Sequence, residues 1–193
     1  MSTRIFPAMV IVEGPRGVGK TTALDLVERY LIQARQEPVR FKAERGEDPT
    51  TDMLETIMRI VNASYHFPTR VLLVDRFHIT ELALRLADET RSTKELVRDT
   101  SIIQQILISE KFPTFLLYCQ EEERQRRVSL RDDGRPDLTP TQQSIWQAVV
   151  GSNLRAAITN HYVDLIDVTA ISPRLTAKTL MYRMRAAVEL KIN

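Results

Sequence analysis

The chain has 193 residues, 43% of them hydrophobic and 27% charged, which is enough for one sizeable core and excludes a disordered or fibrous class. A net charge of +2 is too small to demand a nucleic-acid or membrane partner, and no apolar run is long enough to span a bilayer. Cys119 is the only cysteine and His66, His78 and His161 are scattered, so there is no internal disulfide and no metal-ligand spacing; a single domain over residues 1–193, in the reducing setting of the cytoplasm, is expected.

Taken in order, residues 8–12 form a short apolar run that reads as a buried strand. Gly14-Pro15-Arg16-Gly17-Val18-Gly19-Lys20-Thr21 follows, in the pattern G-x-x-x-x-G-K-T of a phosphate-binding loop. Residues 22–36 then place Leu24, Val27, Leu31 and Ala34 at helical spacing. Strand, glycine turn and helix are the context that motif requires. The glycines let backbone approach a ligand without a Cβ in the way, and the loop N–H groups with the helix start face a polyanion. Gly14, Arg16, Gly17, Val18, Gly19, Lys20, Thr21 and Thr22 are therefore expected to hold a polyphosphate, with Lys20 reaching the β and γ phosphates and the Thr21 hydroxyl reaching Mg²⁺.

Glu37-Pro38 reads as a breaker, and residues 39–43 as a second strand, followed by a polar turn over 44–51. Residues 52–65 carry Met53, Leu54, Ile57, Met58 and Val61 on one helical stripe. Val71-Leu72-Leu73-Val74 is a third strand, apolar on both faces as in a parallel sheet. Helices are expected over 79–87 and 93–111, with Pro113 ending the second, and a fourth strand over 115–119. A charged helix over 121–130 and a loop over 131–138 come next. Thr139-Pro140-Thr141-Gln142 is a helix start with a capping box, running to about residue 162. A fifth strand at 163–168 and a last helix begun by Ser172-Pro173 complete the chain. The alternation predicts a three-layer α/β domain with a mostly parallel sheet, whose ligands sit at the carboxyl ends of strands.

Asp75-Arg76, directly after the third strand, is the second signal. A carboxylate there can hold Mg²⁺ or accept a proton, and a guanidinium can clamp phosphate; a solvated ion pair is the bland alternative. The third is the cluster Arg124, Arg126, Arg127, Arg131 and Arg135. Glu121, Glu122 and Glu123 stand three and four residues before the helical arginines, which suits Arg124 and Arg126 to ion pairing along the helix. Arg131 and Arg135 suit charge stabilisation during phosphoryl transfer, and Arg127 lies between the two roles. Glu44 and Arg45, after the second strand, are candidates toward an acceptor, and Phe77 a candidate for stacking on a base, with a solvated or core role as the alternative. His78 reads as a helix-start residue, Trp146 as core and Cys119 as a buried strand residue.

These stretches resemble the thymidylate kinases, within the wider nucleoside monophosphate kinase and deoxynucleoside kinase group. The resemblance rests on Val12-Glu13-Gly14 with Gly19-Lys20-Thr21-Thr22, on Val74-Asp75-Arg76-Phe77 with Thr80 and Ala83, and on Phe112-Pro113-Thr114-Phe115. Residues 127–135 and Ile166-Asp167-Val168 fall where that family has an arginine-bearing lid and the strand before its adenine loop. The resemblance implies a P-loop NTPase fold with sheet order 2-3-1-4-5, a lid at about 127–138, and Mg²⁺-dependent transfer from ATP to a nucleoside monophosphate such as dTMP. It further implies that Lys20, Asp75, Arg76, Arg131 and Arg135 are catalytic, that Thr21 and Asp75 serve Mg²⁺, and that Arg127 and Ala170 lie by the nucleotide. Arg45, Arg76, Phe77 and Glu44 would face a small-molecule acceptor, nucleic acid and membrane are not expected as partners, and a homodimer is. Two departures stand out: Arg16 where the family usually has an acid, and a short acceptor-side segment before Asp75. A nucleoside kinase, a polynucleotide 5′-kinase and a nucleotide-binding regulator remain the alternatives.

Overall fold

The computed structural model describes residues 5–42, 55, 58–59, 61–62, 70–88, 93–131, 137–160 and 163–189. Five strands form one sheet: β1 (Met9–Glu13), β2 (Glu37–Lys42), β3 (Arg70–Asp75), β4 (Thr114–Tyr118) and β5 (Val163–Asp167). Their order is β2-β3-β1-β4-β5, and every pairing is parallel. The helices are α1 (Lys20–Gln33), α2 (His78–Asp88), α3 (Thr93–Ser109), α4 (Glu121–Ser129), α5 (Pro140–Asn160) and α6 (Pro173–Glu189).

The central strand explains the layering. All five residues of β1 are buried, so each face of it needs a cover. On one face Val10 and Val12 pack with Ala23, Leu24, Val27 and Leu31 of α1 and with Ala177, Leu180 and Met184 of α6. On the other, Met9 and Ile11 pack with Ile103 and Leu107 of α3 and with Phe77. A third cluster joins Ile79 and Ala83 of α2 to Leu116 and to Trp146 and Val149 of α5. Trp146 is thus core, as its pattern suggested.

Local signals account for several element ends. Thr139 Oγ1 accepts from the Gln142 N–H at 3.2 Å while Gln142 Oε1 accepts from the Thr139 N–H at 3.0 Å, the reciprocal bonds of a capping box. Ser172 Oγ accepts from the Leu175 N–H at 3.2 Å at the start of α6. Two boundaries differ from the sequence reading. Glu37-Pro38 lies inside β2 instead of breaking before it, because β2 is an edge strand, where a missing N–H removes no obligatory ladder bond. Strand β4 starts at Thr114 and ends at Tyr118, leaving Cys119 half-buried just past it rather than inside the strand. Of the stripe expected over 52–65, Val61 is buried and Met58 is exposed; Met53, Leu54 and Ile57 lie outside the described residues.

Candidate nucleotide site

The parallel register brings the carboxyl ends of β1, β3 and β4 to one edge, with Val12 beside both Asp75 and Phe115. The glycine loop turns there into α1. Gly14 has φ 138° and a Cβ on it would lie 2.3 Å from the Leu117 carbonyl oxygen. Gly17 has φ 94°, and its Cβ would lie 2.8 Å from Val128 and 2.9 Å from the Arg124 side chain. Only a residue without Cβ lets this loop pass between β4 and α4. Helix α1 then begins with Ala23 N–H donating to the Gly19 carbonyl at 3.0 Å.

Lys20 is the buried cation of the loop, 4% exposed, with Nζ donating to the carbonyls of Gly14 at 2.5 Å and Pro15 at 2.7 Å. Burial pushes its pKa down to about 7, and the positive charges of Arg76 and Arg131 act in the same direction against Asp75 and Glu13. Arg76 and the last helical-side arginine, Arg131, therefore share the electrostatic environment of Lys20. Arg76 takes a left-handed backbone conformation, φ 70°, its N–H donating to the Val12 carbonyl at 3.0 Å. That conformation is uncommon for a residue with a Cβ, and here it swings the chain off β3 across the end of β1.

Asp75 is fully buried at the end of β3. Its Oδ2 accepts from the Thr21 hydroxyl at 3.3 Å, so the two side chains expected to serve Mg²⁺ touch. Among the described residues its Oδ1 has no hydrogen-bond partner. A buried orphan carboxylate oxygen beside a hydroxyl, both oxygen donors, fits a hard cation that keeps part of its water.

Glu13 has a structural part that the residue pattern alone did not show. Fully buried, its carboxylate accepts from the N–H groups of Ile79 at 3.0 Å and Thr80 at 3.2 Å, and from the Thr80 hydroxyl at 2.5 Å. It caps α2 from the end of β1 and so fixes the Asp75-Arg76 turn to the glycine loop. Burial raises its pKa, and the bonds from Thr80, Phe77 and Ile79 oppose that. His78 Nδ1 lies 3.6 Å from Glu13, and burial pushes the imidazole down to about 3, so it is neutral. His78 is the first residue of α2, and Phe77, 4% exposed, lies in the core rather than in an open cleft.

Helix α4 braces the other side of the loop. Arg124, only 1% exposed, is gripped by Glu121 and by Asp137 at 2.6 Å, and donates to the Arg16 carbonyl at 3.3 Å. Arg126 pairs with Glu123 on the surface. Arg127 pairs with Glu123 too, and its guanidinium donates to the carbonyls of Val18 at 3.2 Å and Val168 at 2.6 Å. A cleft of about 530 Å³ opens between Gly17, Gly19 and Thr22, Arg127 and Arg131, and Ala170 and Ile171. The structure thus gathers the expected cofactor residues of the loop, the arginine helix and the turn after β5. Arg16 is half-buried on the loop, and Arg131 is exposed at its rim. Glu44, Arg45 and Arg135 lie outside the described residues.

A second residue, Arg40, was also invisible to motif reasoning. Arg40 of β2 pairs with Asp25 of α1 and donates to Asp75 Oδ2 at 3.0 Å. The only signal in the sequence was its strand position, two residues before the end of β2 and beside the strand that bears Asp75.

No protein-family model matches the sequence, and no curated protein matches it. The structure is similar to that of thymidylate kinase from Candida albicans, with a TM-score of 0.54 over 95% of this chain and 94% of that one. The two share a fold, a five-stranded parallel sheet of order β2-β3-β1-β4-β5 between helices. Identity is 15%, so the likeness covers topology and layering and leaves the chemistry to the residues themselves. No helix among the described residues is long and apolar enough to cross a membrane.

Proposed function

We propose that the protein transfers a phosphoryl group from ATP to a nucleoside monophosphate, dTMP or a related deoxynucleotide. The observation that carries this reading is the contact of Thr21 with Asp75 at the end of β3, in the same electrostatic environment as Lys20, on a glycine loop whose Gly17 and Gly19 line a cleft with Arg127 and Arg131. Lys20 and the loop N–H groups bind the polyphosphate, and Arg127 with Ala170 and Ile171 flank the nucleotide's far end. Thr21 and Asp75 would hold Mg²⁺, which supplies neutralisation of phosphate charge when bound. Arg76 orients the acceptor phosphate, and Arg131 and Arg135 close on the charge spread over the equatorial oxygens while keeping water out.

The Candida albicans enzyme has broad substrate specificity, which makes a panel of acceptors the natural test. ATP consumption is measured with Mg²⁺ against nucleosides, nucleoside monophosphates and a 5′-hydroxyl oligonucleotide. Stimulation by a monophosphate supports the proposal and names the base. Stimulation by a nucleoside or the oligonucleotide instead moves the acceptor, and nucleotide binding without turnover leaves a regulatory protein.

A further inference from the structure

The carboxylate on which a metal would depend already has a cation against it. Arg40 Nη2 donates to Asp75 Oδ2 at 3.0 Å and to the Thr21 carbonyl at 3.4 Å, while Nη1 pairs with Asp25. The guanidinium is thus held by β3, by the first turn of α1 and by the α1 surface at once. Its side chain is 20% exposed although it stands on an edge strand, where it could extend into water. The hydration it gives up is offset by Asp75, by Asp25 and by the Thr21 carbonyl. The second Asp75 oxygen stays buried and without a partner among the described residues, directed at neither arginine nor hydroxyl.

We propose that Arg40 is an internal cation that shares Asp75 with the divalent metal. It neutralises Asp75 when the site holds no nucleotide, and it weakens the metal's hold once nucleotide is bound. Asp25 is the second carboxylate that draws Arg40 away from Asp75. The inference rests on the reading of Lys20, Thr21 and Asp75 as a nucleotide–metal site. Two cations served by one carboxylate repel across a few ångströms, an effect on metal affinity of about tenfold or more in a partly solvated site. An arginine that only tied β2 to α1 would leave metal affinity unchanged.

The test is the coupling between Mg²⁺ and nucleotide. The Kd of a fluorescent ADP analogue is measured in EDTA and in saturating Mg²⁺, and the ratio of the two is compared among the wild type, Arg40→Met and Asp25→Asn. Complexation in solution is common to all three proteins and cancels. Arg40→Met is expected to raise the ratio about tenfold. Asp25→Asn, at a position whose side chain is 52% exposed, leaves Arg40 with Asp75 alone and is expected to lower it severalfold. An unchanged or smaller ratio in Arg40→Met overturns the proposal; should that variant not fold, an unchanged ratio in Asp25→Asn does so. A wild type that binds the analogue under neither condition overturns the nucleotide reading as well, whereas binding without the Arg40 shift overturns this proposal alone.

Discussion

Nucleotide binding should draw a proton onto Lys20. Its ammonium is buried within the loop, its pKa pushed down to about 7 by desolvation and by Arg76. At pH 8.5 a group with that pKa is charged in about 3% of molecules. A polyphosphate beside Nζ restores an ordinary lysine value, near 10.4, and the group is then almost wholly charged. Binding at pH 8.5 should therefore take up about one proton per nucleotide, and at pH 6 only about 0.1. Isothermal titration of Mg-ADP in buffers of different ionisation enthalpy reads this number as a slope. Lys20→Arg, which cannot lose its proton, should flatten it. The same shift has a sign for stability. Between pH 7 and about 10.4 the unfolded chain binds more protons at Lys20 than the native one, so the ligand-free protein gains stability as pH rises through that window, by up to about 1.4 kcal/mol per unit from this group. A wild-type slope of zero at pH 8.5, or equal slopes at pH 6 and 8.5, refutes the reasoning.

Three other outcomes follow from packing and burial. Gly14→Ala puts a methyl against the Leu117 carbonyl at a residue with φ 138°, and should cost about 3 kcal/mol or more in urea unfolding; a wild-type midpoint would mean the loop is not wedged as described. Arg124→Met strips Glu121, Asp137 and the Arg16 carbonyl of a donor and should cost about 2–4 kcal/mol, with Arg126→Met, at the surface, unfolding at the wild-type midpoint as the contrast. His78 is held neutral down to about pH 3, whereas an unfolded histidine titrates near 6.5. As pH falls from 7 to 5 the unfolded chain gains protons there that the native one refuses, so His78→Gln should lose about 2 kcal/mol less stability than wild type over that span. A pH-independent difference between the two proteins would count against the buried neutral imidazole.

The glycine loop, the parallel sheet and the placing of Asp75 were legible because each rests on local chemistry. A G-x-x-x-x-G-K-T run between an apolar strand and a helical stripe has few uses, and apolar runs without alternation point to strands covered on both faces. Arg124 was legible as a structural arginine because three acids precede it in helical register, although its burial against Arg16 was not. Arg40 and Glu13 were not legible, for one reason. Their partners lie 15 to 67 residues away, and only the sheet register brings them together. Pro38 was misread because a proline signals a break unless its strand is known to be an edge, and edge position is a property of the whole sheet. Phe77 follows Asp75-Arg76 in sequence, but the left-handed turn at Arg76 sends its ring into the core beneath the site.

The cap that Glu13 places on α2 makes two distant stretches one unit of local opening. The amides of Ile79 and Thr80 lie at the start of a helix, where N–H groups ordinarily exchange with solvent quickly because no carbonyl precedes them. Here they are held by a carboxylate at the end of the central strand. Their hydrogen exchange should thus report the opening of β1 with its glycine loop rather than the fraying of α2, and the loop and the Asp75-Arg76 turn should lose order together or not at all.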